Sequence, residues 1–372
     1  MTRQQRLFEV VRTGLAILIA LVIALVVILV VSKNPGDALS KFLLGPLDSF
    51  RHFGNVIELM IPLTFTGIAI SVMFSAAQFN LGAEGGFFIG AIAASFIAIN
   101  FSLPPIIHPI VAVLFGGLVG SLFCGIPAAL KVRWGASELV SSLMFNYIAF
   151  FFGLYLINYF LRDVNAGAMV SYQFKGSALI PTMIPKTRIS FSLVVAIALV
   201  VAAGAFMART RWGYRIKLIG ANAQFARYSG INTNHVVLYS QIIGGFIAGV
   251  GGSLEVLGMY TRFTWQTLPG YGWDGVIVAI LARNNPIFVP IAAFFLAYLR
   301  IGADIMSRYS DVPNEFVALI QGTIIILIAA SSFLAKYRHR LVFKEATQKA
   351  SPEASPEAAP ETAPPAEQGA QR

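Results

Sequence analysis

The stretch Phe79-Asn80-Leu81-Gly82-Ala83-Glu84-Gly85-Gly86 places a carboxylate, an amide and three glycines between two apolar runs. In hydrocarbon a free charge is costly and every backbone N–H and C=O must find an internal partner. A polar, glycine-rich break in such surroundings lines a cavity or ends a half-helix. Glu84 can hold the hydroxyls of a polar solute or gate its passage. It can equally cap the following half-helix, where a carboxylate gains about 0.3–1 kcal/mol from the helix dipole. Asn80, four residues earlier, can share either task. Asn146 lies within an apolar run, where an unpaired amide is expensive. It is either a helix–helix hydrogen bond or a pathway contact. Phe79, Phe145 and Tyr147 can stack on a planar solute, but the chain has 30 phenylalanines and packing is the commoner role of each.

Other chemistry is thinly supplied. The one cysteine, Cys124, cannot form an intrachain disulfide, and His52, His108, His235 and His339 are too scattered for a metal cluster. No metal site is expected. No G-x-x-x-x-G-K-[ST] phosphate loop occurs, and no Ser-His-Asp or Cys-His arrangement has supporting context. No catalytic residue and no cofactor of the chain's own is therefore expected.

The elements that position these residues are membrane spans. The hydrophobic fraction is 57% and charged residues are 12%, too little polar surface for a soluble chain of 372 residues. The fold class predicted is an all-α polytopic membrane protein. Ten apolar segments can be read, at about 13–32, 59–78, 86–103, 109–130, 139–160, 189–208, 236–258, 271–282, 286–303 and 316–335. The first follows Arg3, Arg6 and Arg12 but is too long for a signal-peptide core, and is read as a retained helix. The eighth is too short to span alone, and Ala282-Arg283-Asn284-Asn285-Pro286 looks like a tight turn after it.

Net charge of +10 reads as basic cytoplasmic loops, not as nucleic-acid binding. The loop 209–236 carries Arg209, Arg211, Arg215, Lys217 and Arg227 with no acid. That asymmetry predicts both termini inside. Residues 1–343 are read as the transmembrane domain and 344–372 as a disordered cytoplasmic tail. The tail is rich in Ala, Pro and Glu, as in Ser351-Pro352-Glu353, and cannot bury a core.

Gly82-Ala83-Glu84-Gly85 also matches Gly272-Trp273-Asp274-Gly275, each opening an apolar run. A weaker echo links Gly135-Ala136-Ser137 to Gly302-Ala303-Asp304. Five helices separate the two main copies, so segments 2–5 and 7–10 are predicted to form an inverted repeat, a common transporter architecture. In loop 209–236, Asn222 can cap a short helix over 223–229 that Gly230 ends. Phe225 and Tyr228, three apart, share a face of it. Such a helix can seat in a partner's socket or lie on lipid headgroups.

These residues resemble a known family. Asn80-Leu81-Gly82-Ala83-Glu84-Gly85 looks like the N-[IL]-G-A-E-G signature of ABC-importer permeases for nucleosides, within the ribose/branched-chain amino-acid permease superfamily. Phe145-Asn146-Tyr147-Ile148-Ala149 is similar to that subgroup's L-N-Y-I-A element. Thr210, Gly213, Gly220-Ala221-Asn222 and Gly230-Ile231 follow its coupling-loop pattern. Gly270-Tyr271-Gly272-Trp273-Asp274-Gly275 through Pro286 resembles a further conserved run of the family. The match covers roughly residues 55–335; Phe145, Ala282 and Gly86 depart from it, and the tail is no part of it.

The resemblance implies a type-II-like importer of the bacterial inner membrane. Separate ATPase subunits would bind ATP and Mg and would engage Arg211, Gly213, Asn222, Phe225, Tyr228 and Gly230. A second permease subunit is implied, more often a different chain than a second copy. An extracytoplasmic nucleoside-binding protein would deliver substrate near Trp273 and Asp274; a helix cap and an interfacial aromatic are the plainer roles of that pair. A monosaccharide permease is the alternative within the family. An ion-coupled secondary transporter is the alternative outside it, disfavoured because only Glu84 and Glu255 read as intramembrane acids.

Overall fold

The computed structural model describes residues 32–312 and four isolated positions, Val22, Val26, Leu29 and Gly322. The first and tenth predicted spans and the tail lie outside the described residues.

Helix α1 (Pro35–Leu43) starts on Pro35 at its first turn and buries Ala38 and Phe42. α2 (Phe50–Ser75) is capped by Ser49, whose hydroxyl accepts the His52 N–H at 3.1 Å. α3 (Ala83–Asn100) and α4 (Ile107–Trp134) follow, and α4 stops where Gly135 takes φ 69°. α5 (Glu138–Leu156), capped by Ser137, runs into a wider turn over Ile157–Leu161. After an irregular segment, 162–191, come α6 (Ser192–Arg209), α7 (Arg211–Ala221) and α8 (Ala223–Tyr228). α9 (Thr233–Met259), α10 (Tyr271–Leu281) and α11 (Val289–Tyr309) complete the described chain.

Seven of these helices are long and apolar enough to cross a membrane: α2, α3, α4, α5 with its extension, α6, α9 and α11. α10, with 11 residues, rises only about 16 Å and covers half a bilayer. The span count therefore agrees with the sequence reading inside the described residues, and segment eight is a half-helix. Segment seven begins earlier than predicted because Asn232, not a residue nearer 236, caps it by accepting the His235 N–H. Stretch 211–221, read from its charges as loop, is helix α7. Thr210 caps it by accepting the Gly213 N–H at 3.0 Å, and Ile216 and Ile219 are buried beneath it.

α3 is the hub. Buried shares are 83% for α3, 78% for α2 and 72% for α9, against 33% for α4 and 28% each for α5 and α6. Backbones of α3, α4 and α9 approach closely at Gly90, Gly120 and Gly249. A Cβ on Gly120 would stand 2.6 Å from the Gly245 carbonyl oxygen and 2.8 Å from the Gly249 Cα. Small residues permit this contact, which in a bilayer replaces the missing hydrophobic drive between helices.

Candidate functional site

α3 and α10 begin in the interior of the bundle, and their N-termini meet. The sequence explains why each can start there. Both open with Gly-x-acid-Gly, and the glycines leave no side chain between the two backbones. A Cβ on Gly272 would stand 2.7 Å from the Glu84 Cβ, and one on Gly275 would stand 2.6 Å from the Thr66 hydroxyl. Gly270, at φ 84°, turns the chain into α10 from a left-handed conformation that other residues rarely take.

Glu84, 1% exposed, bridges the two starts. Its Oε1 accepts the Gly270 N–H at 2.7 Å and its Oε2 accepts the Gly272 N–H at 2.5 Å. These are amides that a helix leaves unpaired at its first turn, so one carboxylate satisfies both and meets the positive end of the α10 dipole. Asp274, in the first turn of α10, is buried and takes both terminal nitrogens of Arg300 from α11, one of them at 2.6 Å.

The descent from α2 to α3 is pinned just as fully. Asn80 Oδ1 accepts the Gly82 N–H at 2.7 Å. Asn146 on α5 accepts the Gly85 N–H at 2.9 Å and donates to the Leu81 carbonyl at 3.0 Å. Ser142, one turn away, accepts the Leu81 N–H at 3.0 Å. Cys124 on α4 donates its thiol to the Gly82 carbonyl at 3.3 Å.

The structure thus brings Asn80, Glu84, Asn146 and Asp274 into one region, with Asn80, Glu84 and Asn146 engaged by backbone. Asp274 does not face an outer surface, as its expected docking role required. It is buried because its run re-enters the bundle after α9, and Arg300 holds it there. Trp273 is 44% exposed. Arg300 and Ser142 were not singled out from sequence. Arg300 carried a usable signal, being a lone cation after the apolar run Phe294-Phe295-Leu296-Ala297, whereas Ser142 carried none.

The two main copies of the predicted repeat occupy equivalent places, each in the first turn of an interior helix. The weaker echo fails. Gly135-Ala136-Ser137 ends α4 and caps α5, but Gly302-Ala303-Asp304 lies within α11, where Gly302 packs on the Phe42 backbone.

Two cavities flank this junction. One, of about 510 Å³, lies at the end where α2 and α10 finish and includes Phe74, Ser75, Phe79, Lys217 and Asn284 in its lining. The other, of about 560 Å³, lies at the end where α2 starts and α9 finishes, with Tyr271 in its wall.

The α7–α8 hairpin sits against the first of these ends. Asn222 caps α8 by accepting the Phe225 N–H at 3.0 Å, and Gly230 closes it at φ 77°. Ile216, Ile219 and Ala226 pack on Val72, Ala76 and Val236, so the hairpin is bonded to the ends of α2 and α9. Gly220 abuts the Ser75 carbonyl. Phe225 is 55% exposed and Tyr228 90% exposed. Arg211 stands at the start of α7, exposed, and Gly213 packs against the end of α6. Among the described residues no group of histidines, cysteines and carboxylates could hold a metal ion.

Among the described residues, seven membrane-length helices around a re-entrant half-helix, with a cavity at each end, define a polytopic membrane transport protein. The chain belongs to the family described as branched-chain amino acid transport system, permease component, which matches residues 53–329. It is 30% identical over 339 residues to the glucose ABC transporter permease protein TsgB13 of Haloferax volcanii, covering 88% of this chain and 89% of that one. It is 28% identical to the guanosine ABC transporter permease protein NupP of Bacillus subtilis, covering 90% and 96%. It is 27% identical to the nucleoside ABC transporter permease protein NupB of Lactococcus lactis, covering 80% and 84%. The resemblance to nucleoside-type permeases read from Asn80–Gly85 therefore extends along the chain. The protein is a permease subunit of an ABC transporter, a transport subunit and not an enzyme, and its kind works with an ATPase and a substrate-binding partner. Membership removes the ion-coupled alternative.

Proposed function

We propose that this chain moves nucleosides across a bacterial cytoplasmic membrane by alternating access, driven by separate ATPase subunits that bind ATP and Mg. The observation that carries the substrate class is near-full-length similarity to permeases named for guanosine and nucleosides, joined to the Asn80–Gly85 signature. The glucose permease relative favours a monosaccharide as the second reading.

The geometry fits a moving part. The α7–α8 hairpin grips the ends of α2 and α9, and Phe225 and Tyr228 project from it as anchors for an ATPase groove. A push there passes through α2 and its turn to Asn80–Glu84, and so to α10. Glu84, Asn80 and Asn146 act on this path by holding the junction. Asp274 acts beside them at the α10 start, and the exposed Trp273 stays available to a binding protein. A second permease, more often a different chain, would cover the helices left exposed on α4, α5 and α6, and lipid the rest. Both termini would lie inside, with residues 344–372 as a cytoplasmic tail.

The test is uptake into vesicles holding the complete importer with ATP inside. Labelled guanosine and uridine should accumulate and be outcompeted by nucleosides, not by ribose or glucose. Accumulation of glucose or ribose with no nucleoside uptake would replace this reading by the monosaccharide one.

A further inference from the structure

The cavity of about 560 Å³ brings acidic, basic and aromatic side chains to one space. Arg51, Asn55 and Glu58 recur at helical spacing along one face of α2. Arg188 enters from the irregular segment 162–191, Glu255 from the end of α9 and Tyr271 from the start of α10. Lys186 lines it too, so three cations, Arg51, Lys186 and Arg188, share one space with two carboxylates, Glu58 and Glu255, and neither sign alone is matched. A neutral solute with many hydroxyls is matched, because carboxylates accept its O–H groups and guanidinium groups donate to its oxygens.

One atom makes the point specific. Glu58 Oε2 is buried and, among the described residues, has no hydrogen-bond partner. Buried acceptors are ordinarily satisfied, so the carboxylate of Glu58, which lines the cavity, has an oxygen left to offer a donor when its side chain turns toward a solute there. The other carboxylate, Glu255, has a weak partner in the Tyr271 hydroxyl at 3.4 Å. Tyr271 also supplies an aromatic wall, and it lies between Gly270 and Gly272, the two residues whose amides Glu84 holds. A solute here sits directly above the junction. The volume falls in the usual range for small-molecule sites, roughly 300–1,000 Å³.

We propose that this cavity is a substrate site for a neutral, hydroxyl-rich ring and that Glu58 is its specificity residue, accepting ribose hydroxyls of a nucleoside. This deepens the nucleoside reading and rests on it. The experiment compares uptake of uridine and 2′,3′-dideoxyuridine by the wild-type importer and by Glu58→Gln, with the same ATPase, second permease and binding protein throughout. Selection made by the binding protein then cancels between the two importers. The ratio of kcat/KM for the two substrates should fall about tenfold in the variant, as expected on weakening a hydrogen bond to a charged acceptor.

An unchanged ratio, or an equal loss for both substrates, overturns the site; equal loss assigns Glu58 to docking or folding instead. A wild-type importer that moves no nucleoside strikes the functional reading itself, whereas normal wild-type uptake with an unchanged ratio strikes only this site. Thiol labelling covers the case of a variant that does not fold. Thr187→Cys places a cysteine in the lining, and the native Cys124 is buried. Saturating uridine should slow its modification by a polar maleimide, and modification at the same rate with and without uridine overturns the proposal.

Discussion

A single carboxylate joins two helices at Glu84, and its energetics decide how the residue should behave. Removing it leaves the buried Gly272 amide and the half-buried Gly270 amide without acceptors. Each such group costs about 1–3 kcal/mol, so Glu84→Ala should lower thermal stability of the purified permease and abolish uptake together. Glu84→Gln keeps one acceptor and should fall between the two. Thermal unfolding in detergent, followed with uptake, checks this, and uptake lost at unchanged stability would mean that Glu84 meets the solute directly. Arg300 and Asp274 give a second test at the same scale. Arg300→Met strands a buried carboxylate and should destabilise by about 2–3 kcal/mol, below the fully buried range because the arginine side chain is 31% exposed. Asp274→Asn combined with Arg300→Met should recover much of that loss, since no charge is left unpaired. A double variant no more stable than the single one would show that the pair matters through shape and not through charge.

Elements were legible in the sequence where hydrophobic runs define them and obscure where polar residues do. The spans of α2 through α6 and α9 emerge from apolar length, and α10 from its shortness. α8 was legible through Asn222 and Gly230, which chemically mark a start and a stop. α7 was not, because Arg211, Arg215 and Lys217 break any apolar run and its helical character rests on burying Ile216 and Ile219 against other helices. Asp274 was misplaced for a related reason. It opens the short segment 271–282, and a residue at the start of an apolar segment reads as lying at a membrane face; nothing local says that segment 260–270 turns back inside. The meeting of α3 and α10 is a tertiary fact, though the repeated Gly-x-acid-Gly held its trace. The hairpin makes the prediction proper to this scale. Replacing Phe225 and Tyr228 together by Ala removes exposed aromatics and no buried packing, so the permease should fold normally while losing the ATPase or its coupling. Pull-down of the ATPase with vesicle uptake checks it, and a variant that keeps both would leave α8 as a membrane-surface helix.

At the scale of the whole molecule, the two ends differ in charge. The end formed by the turn after α4 and by segment 209–232 carries Lys131, Arg133, Arg209, Arg211, Arg215, Lys217 and Arg227, with Glu138 the acid among them. The opposite end mixes signs: Lys41 pairs with Asp48, and Arg262 pairs with Asp163. Lys and Arg are retained on the cytoplasmic side during insertion, and Asp and Glu contribute little to that choice. The predominantly basic end, whose one acid Glu138 pairs with Lys131, should therefore face the cytoplasm, where ATP is available to the subunit that engages Tyr228. The cavity holding Glu58 then opens outward, toward a delivering protein, and the one holding Phe79 opens inward. This orientation is measurable in one experiment, because Cys124 is buried and an introduced cysteine reports alone. Tyr228→Cys and Lys186→Cys would be compared in intact cells with a membrane-impermeant maleimide. Tyr228 is 90% exposed and Lys186 lies at the opposite end, so either thiol is reachable from its own side. Lys186→Cys should label in whole cells and Tyr228→Cys only after the membrane is opened. The reverse pattern would invert the molecule, put the hairpin out of reach of any ATPase and overturn the coupling role of α8 together with the assignment of the two cavities.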